Sequence, residues 1–228
     1  MLTLLQHPLC PLSRFVRLIL NEYGIEARLV EERFWERREE FLLLNPAGAI
    51  PVLIVDGQPA IPGAAIIAEY IEETRPPSGD GLMPAEPVAR VEVRRLVSWF
   101  NDKFHSEVSG PLVTERVFKR HMTLEQGGGP PDTALLRAAR TNIRYHMAYI
   151  GWLVRKRDWL AGDRLSLADL AAAAHLSSVD YMGDVPWTED EAARNWYARV
   201  KSRPSFRAIL ADRLGGIPPA AHYDDLDF

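Results

Sequence analysis

A single cysteine, Cys10, in 228 residues excludes an internal disulfide and points to a reducing compartment. Neither sign of charge dominates. The formal net charge is -4, so the strong basic field of a general nucleic-acid binder is missing. No apolar run is long enough to cross a bilayer; the most apolar stretch, 165–179, is short and carries Asp169 and His175. The N-terminus lacks a basic region followed by an apolar core, so no signal peptide is expected. The histidines at 7, 105, 121, 146, 175 and 222 show no metal-ligand spacing with one another or with Cys10, and no metal is expected. His175, in an alanine-rich stretch, reads as a satisfied core residue. The glycines at 127–129 run into two prolines rather than a helix, which makes a loop and not a phosphate cradle. What is present is 47% hydrophobic and 25% charged, the composition of a soluble, cytoplasmic protein with a real core, in one large domain or two small ones.

Periodicity divides the chain in two. Residues 1–6 read as a strand, and 8–11 as a turn. Apolar residues at 12, 15, 16, 19, 20 and 23 then form one helical face, which Gly24 ends. A second strand over 25–32 and a charged helix over 35–44 follow, stopped by Asn45-Pro46. A third strand over 50–56, a turn at Asp56-Gly57, a brief fourth strand and a helix ending near Arg75 complete the unit. The order is βαβαββα, over residues 1–77. A Pro- and Gly-rich linker spans 78–86. Beyond it the patterns are helical: 87–121, 133–157, 166–180, 189–201 and 205–214. The expectation is a small α/β domain, an all-α domain over 87–214, and an acidic-aromatic tail over 215–228.

Several motifs resemble the glutathione S-transferase superfamily. "NPAGAIPVL" at 45–53 is similar to the family's approach to a cis-proline before the third strand, matched here by Pro51. In the family, backbone groups around that bond, here at Ile50 and Pro51, pair with the ligand as an added strand would. "LSLADL" at 165–170 is a capping box of Ser166 and Asp169, with Leu165 placed to staple onto Leu170. "SRPSF" at 202–206 resembles the start of a late family helix. The resemblance implies a thioredoxin-like N-terminal domain, an all-helical C-terminal domain and a homodimer.

The turn after strand one carries, in the family, the Ser, Tyr or Cys that activates or attacks the glutathione thiol. "CPLS" resembles the turn of the cysteine-type members. A thiol at a helix N-terminus, with Arg14 and Arg17 within two turns, is open to activation, and Ser13 is a second candidate as a hydroxyl donor. The alternative is a buried, inert cysteine. Family members also carry Glu-Ser at the start of the third helix, where the acid and hydroxyl bind the γ-glutamyl end of glutathione. Aligned on "AEYI" at 68–71, this chain has Gly63 and Ala64 there. Charge-assisted hydrogen bonds contribute about 1.5–3 kcal/mol each, so losing two weakens binding by about two to four decades.

Other residues point to a protein partner. The tail alternates acids with apolar residues, and Tyr223, Asp225, Leu226, Asp227 and Phe228 suit docking on its own domain or on a partner. Trp35, ringed by arginines, reads either as packing on the second helix or as an exposed interface anchor. Arg116, Lys119 and Arg120 fall on one helical face that His121 extends, a basic patch suited to an acidic partner. The missing Glu-Ser pair and the tail resemble a group within the superfamily, the transferase-like bacterial division proteins that bind FtsZ. That resemblance implies a non-catalytic dimer acting on FtsZ filaments at the division site, with no cofactor. The alternative is a glutathione-dependent transferase or thiol reductase using Cys10.

Overall fold

The computed structural model describes residues 1–74 and 81–226. Four strands form one mixed sheet in the order β2-β1-β3-β4: β1 Leu2–Gln6, β2 Arg28–Glu31, β3 Val52–Val55 and β4 Ile61–Pro62. β2 runs parallel to β1, whereas β3 runs antiparallel to both β1 and β4. The crossover from β1 to β2 is α1, Pro11–Glu22. Pro11 sits in its first turn, where a missing N–H costs nothing. Gly24 ends the helix at φ +62°, a left-handed conformation that side chains resist. Phe15, Val16, Leu18 and Ile19 of α1 are fully buried.

The charged helix expected over 35–44 is two pieces. A 3-10 turn, Phe34–Glu36, is separated from α2, Glu39–Leu44, by Arg37 at φ +48°. A residue in the left-handed region cannot continue a right-handed helix. α3, Ala64–Thr74, closes this half. Part of the expected linker falls on 75–80, outside the described residues.

The second half is helical, as the glutathione-transferase pattern requires. The long helix expected over 87–121 changes pitch along its length: α4 Pro87–Ser98, a π-helical stretch Trp99–Ser109, α5 Gly110–Arg116 and a 3-10 turn Phe118–His121. Pro111 is one physical reason. It has no N–H to give to the Glu107 carbonyl four residues back, and that carbonyl accepts from Asn142 Nδ2 at 3.3 Å. α6, Thr133–Val154, α7, Leu167–Tyr181, and α8, Glu191–Lys201, follow. α7 is the buried spine of this half, with every residue from Leu167 to Tyr181 inside the core. Its capping box is formed as expected by Ser166 and Asp169. Asp169 also accepts from Leu160 N and from Trp196 Nε1, both at 2.9 Å. His175 is a satisfied core residue, 2.7 Å from Ser109 Oγ and 3.1 Å from Asn101 Oδ1. Gly151 of α6 is where α8 begins; a Cβ there would overlap the Asp190 carboxylate that caps α8.

The last expected helix, 205–214, is shorter. A 3-10 turn, Pro204–Phe206, leads into α9, Arg207–Leu210, and the chain then leaves the helix. Asp212 turns inward to two arginines of α1, a stronger interaction than another helical turn on a polar surface supplies.

Candidate functional site

β1 ends at Gln6, and the turn at 7–10 delivers the chain to α1. Leu5 pairs with Val52, so this turn and the bond preceding β3 lie at the same end of the sheet. The Ile50–Pro51 bond is cis, as the family resemblance implies. Gly63 N donates to Pro51 O at 3.0 Å, which seats the start of α3 beside it. Ile50, Pro51, Gly63 and Ala64 therefore gather at one end of the sheet. Gly63 adopts φ +93°, so a larger residue there meets backbone strain.

Cys10 caps α1 without a side-chain hydrogen bond and is 6% exposed. Burial pushes its pKa up, against the downward pull of the Leu12 and Ser13 N–H groups and of Arg14. The thiol is protonated at neutral pH. Ser13 is fully buried, and its Oγ meets no partner at hydrogen-bonding geometry. Arg14 and Arg17 point away from an activating role. Arg17 makes a bidentate pair with Asp212 at 2.8 and 2.9 Å, and Arg14 Nη2 reaches the same carboxylate at 3.3 Å.

Aromatic rings cover the turn. Phe118, from the helical half, meets His7 edge-on with centroids 4.9 Å apart. It also lies 5.3 Å from Phe34 and 5.4 Å from Trp35, and His7 lies 6.1 Å from Trp35. Each such pair contributes about 0.5–1.5 kcal/mol beyond its buried area. His7 is pushed down to about 4, chiefly by burial, with His121, Arg14 and Arg33 adding repulsion. Among the described residues, four buried side-chain polar atoms lack a partner, and Gln6 Oε1, Ser13 Oγ and Trp35 Nε1 are three of them. Such atoms are rare in native interiors.

These contacts correct two sequence expectations. Trp35 is 8% exposed and belongs to the cluster with His7 and Phe118, so it does not stand out as a surface anchor. Three charged neighbours do not expose an indole that can bury itself against aromatic rings. Arg116 and Lys119 do not share one continuous helix face, because α5 stops at Arg116. Arg116 is held by Asp184 and Lys119 by Glu115, 2.7 Å away. Arg120 and His121 remain exposed.

The tail docks on its own chain as far as it is described. Ala220 N donates to Tyr181 O at 2.8 Å, and Lys201 Nζ donates to Asp225 O at 2.5 Å. His222 Nε2 lies 2.9 Å from Asp180 Oδ1. Tyr223 is fully buried, which removes it too as a surface contact. Its hydroxyl accepts from Arg14 Nη1 at 3.0 Å and donates to Ile209 O at 3.2 Å. Arg14 Nη1 also donates to Ser177 Oγ at 3.0 Å, and Arg14 Nε to Pro8 O at 2.7 Å. One guanidinium thus joins the turn below Cys10, α7 and the tail. Asp225 and Leu226 are exposed; Asp227 and Phe228 lie outside the described residues.

The family models for the glutathione S-transferase N-terminal domain and C-terminal domain match residues 9–74 and 100–204. The chain belongs to the glutathione S-transferase family. It is 49% identical over 99% of its length, and 98% of the other's, to the FtsZ-localized protein A of Caulobacter vibrioides (strain NA1000 / CB15N). The solved structure of FzlA from C. crescentus superposes with a TM-score of 0.90 at 50% identity, covering 100% of this chain and 99% of that one. The crystal structure of a glutathione S-transferase from Sinorhizobium meliloti 1021 superposes with a TM-score of 0.95 at 51% identity, covering 100% of both. Within this family, sequence reading missed Phe118, His7 and Phe34 as the cover of the site. It also missed Arg14, Asp212, Asp180 and Lys201 as the seat of the tail. Isolated aromatics and charges carry no spacing signal for contacts between distant segments.

Proposed function

We propose that this protein is a non-catalytic, homodimeric binding partner of FtsZ filaments, acting in the cytoplasm at the division site. The observation that carries the reading is the 49% identity, across 99% of the chain, to a protein named for its localisation with FtsZ. The site's chemistry supports the non-catalytic half. The thiol is buried and protonated, and Gly63 and Ala64 offer neither the carboxylate nor the hydroxyl that reads a γ-glutamyl group. Ile66 of α3 and Val88 and Val91 of α4 are exposed apolar residues, which suit a face for a second copy. A dimer presents each contact twice and bridges or bends filaments by avidity. Arg120, His121, Asp225 and Leu226 are the exposed candidate contacts, with Asp227 and Phe228 beyond them.

The test is co-sedimentation with polymerised FtsZ. Wild-type protein should pellet with filaments, and a Leu226→Ala variant should pellet less while melting at the same temperature. Wild-type protein that stays in the supernatant at micromolar concentrations sinks the proposal. The place of Cys10 at a helix N-terminus favours a second reading, a glutathione-dependent enzyme using that thiol. Calorimetric titration with glutathione separates the two. No heat up to millimolar supports the binding protein; saturation at tens of micromolar supports the enzyme.

A further inference from the structure

β2 is an outer strand of the sheet: it pairs with β1 on one side, and none of the described strands pairs with the other. Beside it runs a groove of about 920 Å³, walled by the C-terminal end of α1, the approach to β2 and the segment 204–208 of the helical half. That volume falls in the ~300–1,000 Å³ range of ligand-binding clefts. Its lining includes the apolar Leu20, Ile25, Leu29 and Ala208, and Leu29 is 44% exposed. Arg28 and Arg207 also line it. Both are exposed, and neither has an ion-pair partner among the described residues. Arg17 is matched by Asp212, and Glu26 is the one lining carboxylate without a partner there.

We propose that this edge and groove bind an extended peptide segment of a partner protein, with aspartate or glutamate alternating with aliphatic residues, as a fifth strand beside β2. Four residues of β2 rise about 13 Å at the usual ~3.3 Å per residue, room for a comparable stretch of peptide backbone. Main-chain hydrogen bonds give affinity in such strand addition, and side-chain pockets give specificity. Arg28 and Leu29 are neighbours and so project to opposite faces of the sheet. A strand lying beside them meets a cation on one face and an apolar surface on the other, which is why alternation of acid and aliphatic suits the site. Charged residues on a short outer strand commonly serve only to block aggregation. Here a lined groove and a second unpaired arginine from the other half of the molecule accompany them. The surface uses none of the residues assigned to FtsZ above, so the two proposals stand or fall separately.

The probe is a fluorescein-labelled hexapeptide of alternating aspartate and valine, titrated into the full-length protein, with amide shifts mapped by NMR. Binding should perturb the amides of residues 27–31. An Arg28→Glu, Arg207→Glu double variant should bind at least tenfold more weakly while melting at the wild-type temperature. A lysine-valine hexapeptide and an Asp-Val hexapeptide N-methylated at alternate residues should bind at least tenfold more weakly than the probe. No binding up to millimolar, equal binding of the lysine peptide, an unaffected double variant, or shifts confined to other surfaces would each overturn the proposal.

Discussion

Replacing Tyr223 by phenylalanine tests whether the tail is part of the folded core. The hydroxyl accepts from a fully buried guanidinium, Arg14, at 3.0 Å and donates to the Ile209 carbonyl at 3.2 Å. Phenylalanine keeps the ring against Tyr181, whose centroid is 5.1 Å away, and so leaves packing nearly unchanged. What is lost is one hydrogen bond to a charged group, about 1.5–3 kcal/mol, with the Ile209 carbonyl losing a donor as well. The expected destabilisation is about 2–3 kcal/mol, or a fall in Tm of about 4–12 °C for a chain of this size. Tyr223→Ala adds a cavity to that loss, a further ~3–5 kcal/mol. Urea unfolding followed by tryptophan fluorescence measures both. A Tyr223→Phe variant within 0.5 kcal/mol of wild type would refute the reasoning. Deleting residues 222–228 removes this anchor along with any partner contacts. Loss of FtsZ binding in that truncation would therefore report the lost anchor as well as any interface, whereas a substitution at Leu226 separates the two.

Cys10 should be alkylated by iodoacetamide at pH 7.5 at least tenfold more slowly than free cysteine, because the thiol is buried and its pKa is raised; a rate above that of free glutathione contradicts this account. Stability should fall as pH drops from about 6.5 to about 4, since the unfolded state protonates His7 throughout that window while the folded state, with its pKa near 4, does not. The shift corresponds to at most about 3 kcal/mol, and the slope of urea midpoint against pH should flatten in a His7→Phe variant. Gly151→Ala should destabilise by about 1–2 kcal/mol, because the new Cβ displaces Asp190, the N-cap of α8 and the partner of Arg155; thermal melting checks it, and an unchanged or raised Tm would show that α8 shifts without cost.

Most of the architecture is legible in the sequence. The helical face from Leu12 to Tyr23, the strand patterns and the capping box at Ser166 are signals local to a few residues, and each produced the element it suggested. The failures are also physical. Arg37 in the left-handed region splits a stretch that is helical by composition, and nothing in a charged run marks one arginine for that conformation. Pro111 was visible, but an alternative winding kept the helical path continuous where a break is the usual consequence. Trp35 reads equally as anchor or core from its neighbours in sequence; the deciding partner, Phe118, lies 83 residues away.

The sequence by itself determined the family scaffold, the lone cysteine at a helix start and the absence of a carboxylate and hydroxyl at positions 63 and 64. The last two are statements about residue identity at given positions, and the first rests on the resemblance of short motifs to the family's. Tertiary structure alone decided that Cys10 is buried with its pKa pushed up, that Trp35 and Tyr223 are interior, and that Arg14 anchors the tail. Burial and charge pairing are set by segments distant in sequence: Asp212 and Tyr223 reach α1 across some two hundred residues. A guanidinium within one turn of a thiol pulls its pKa down, but at Cys10 burial outweighs that pull, and only the fold sets the burial.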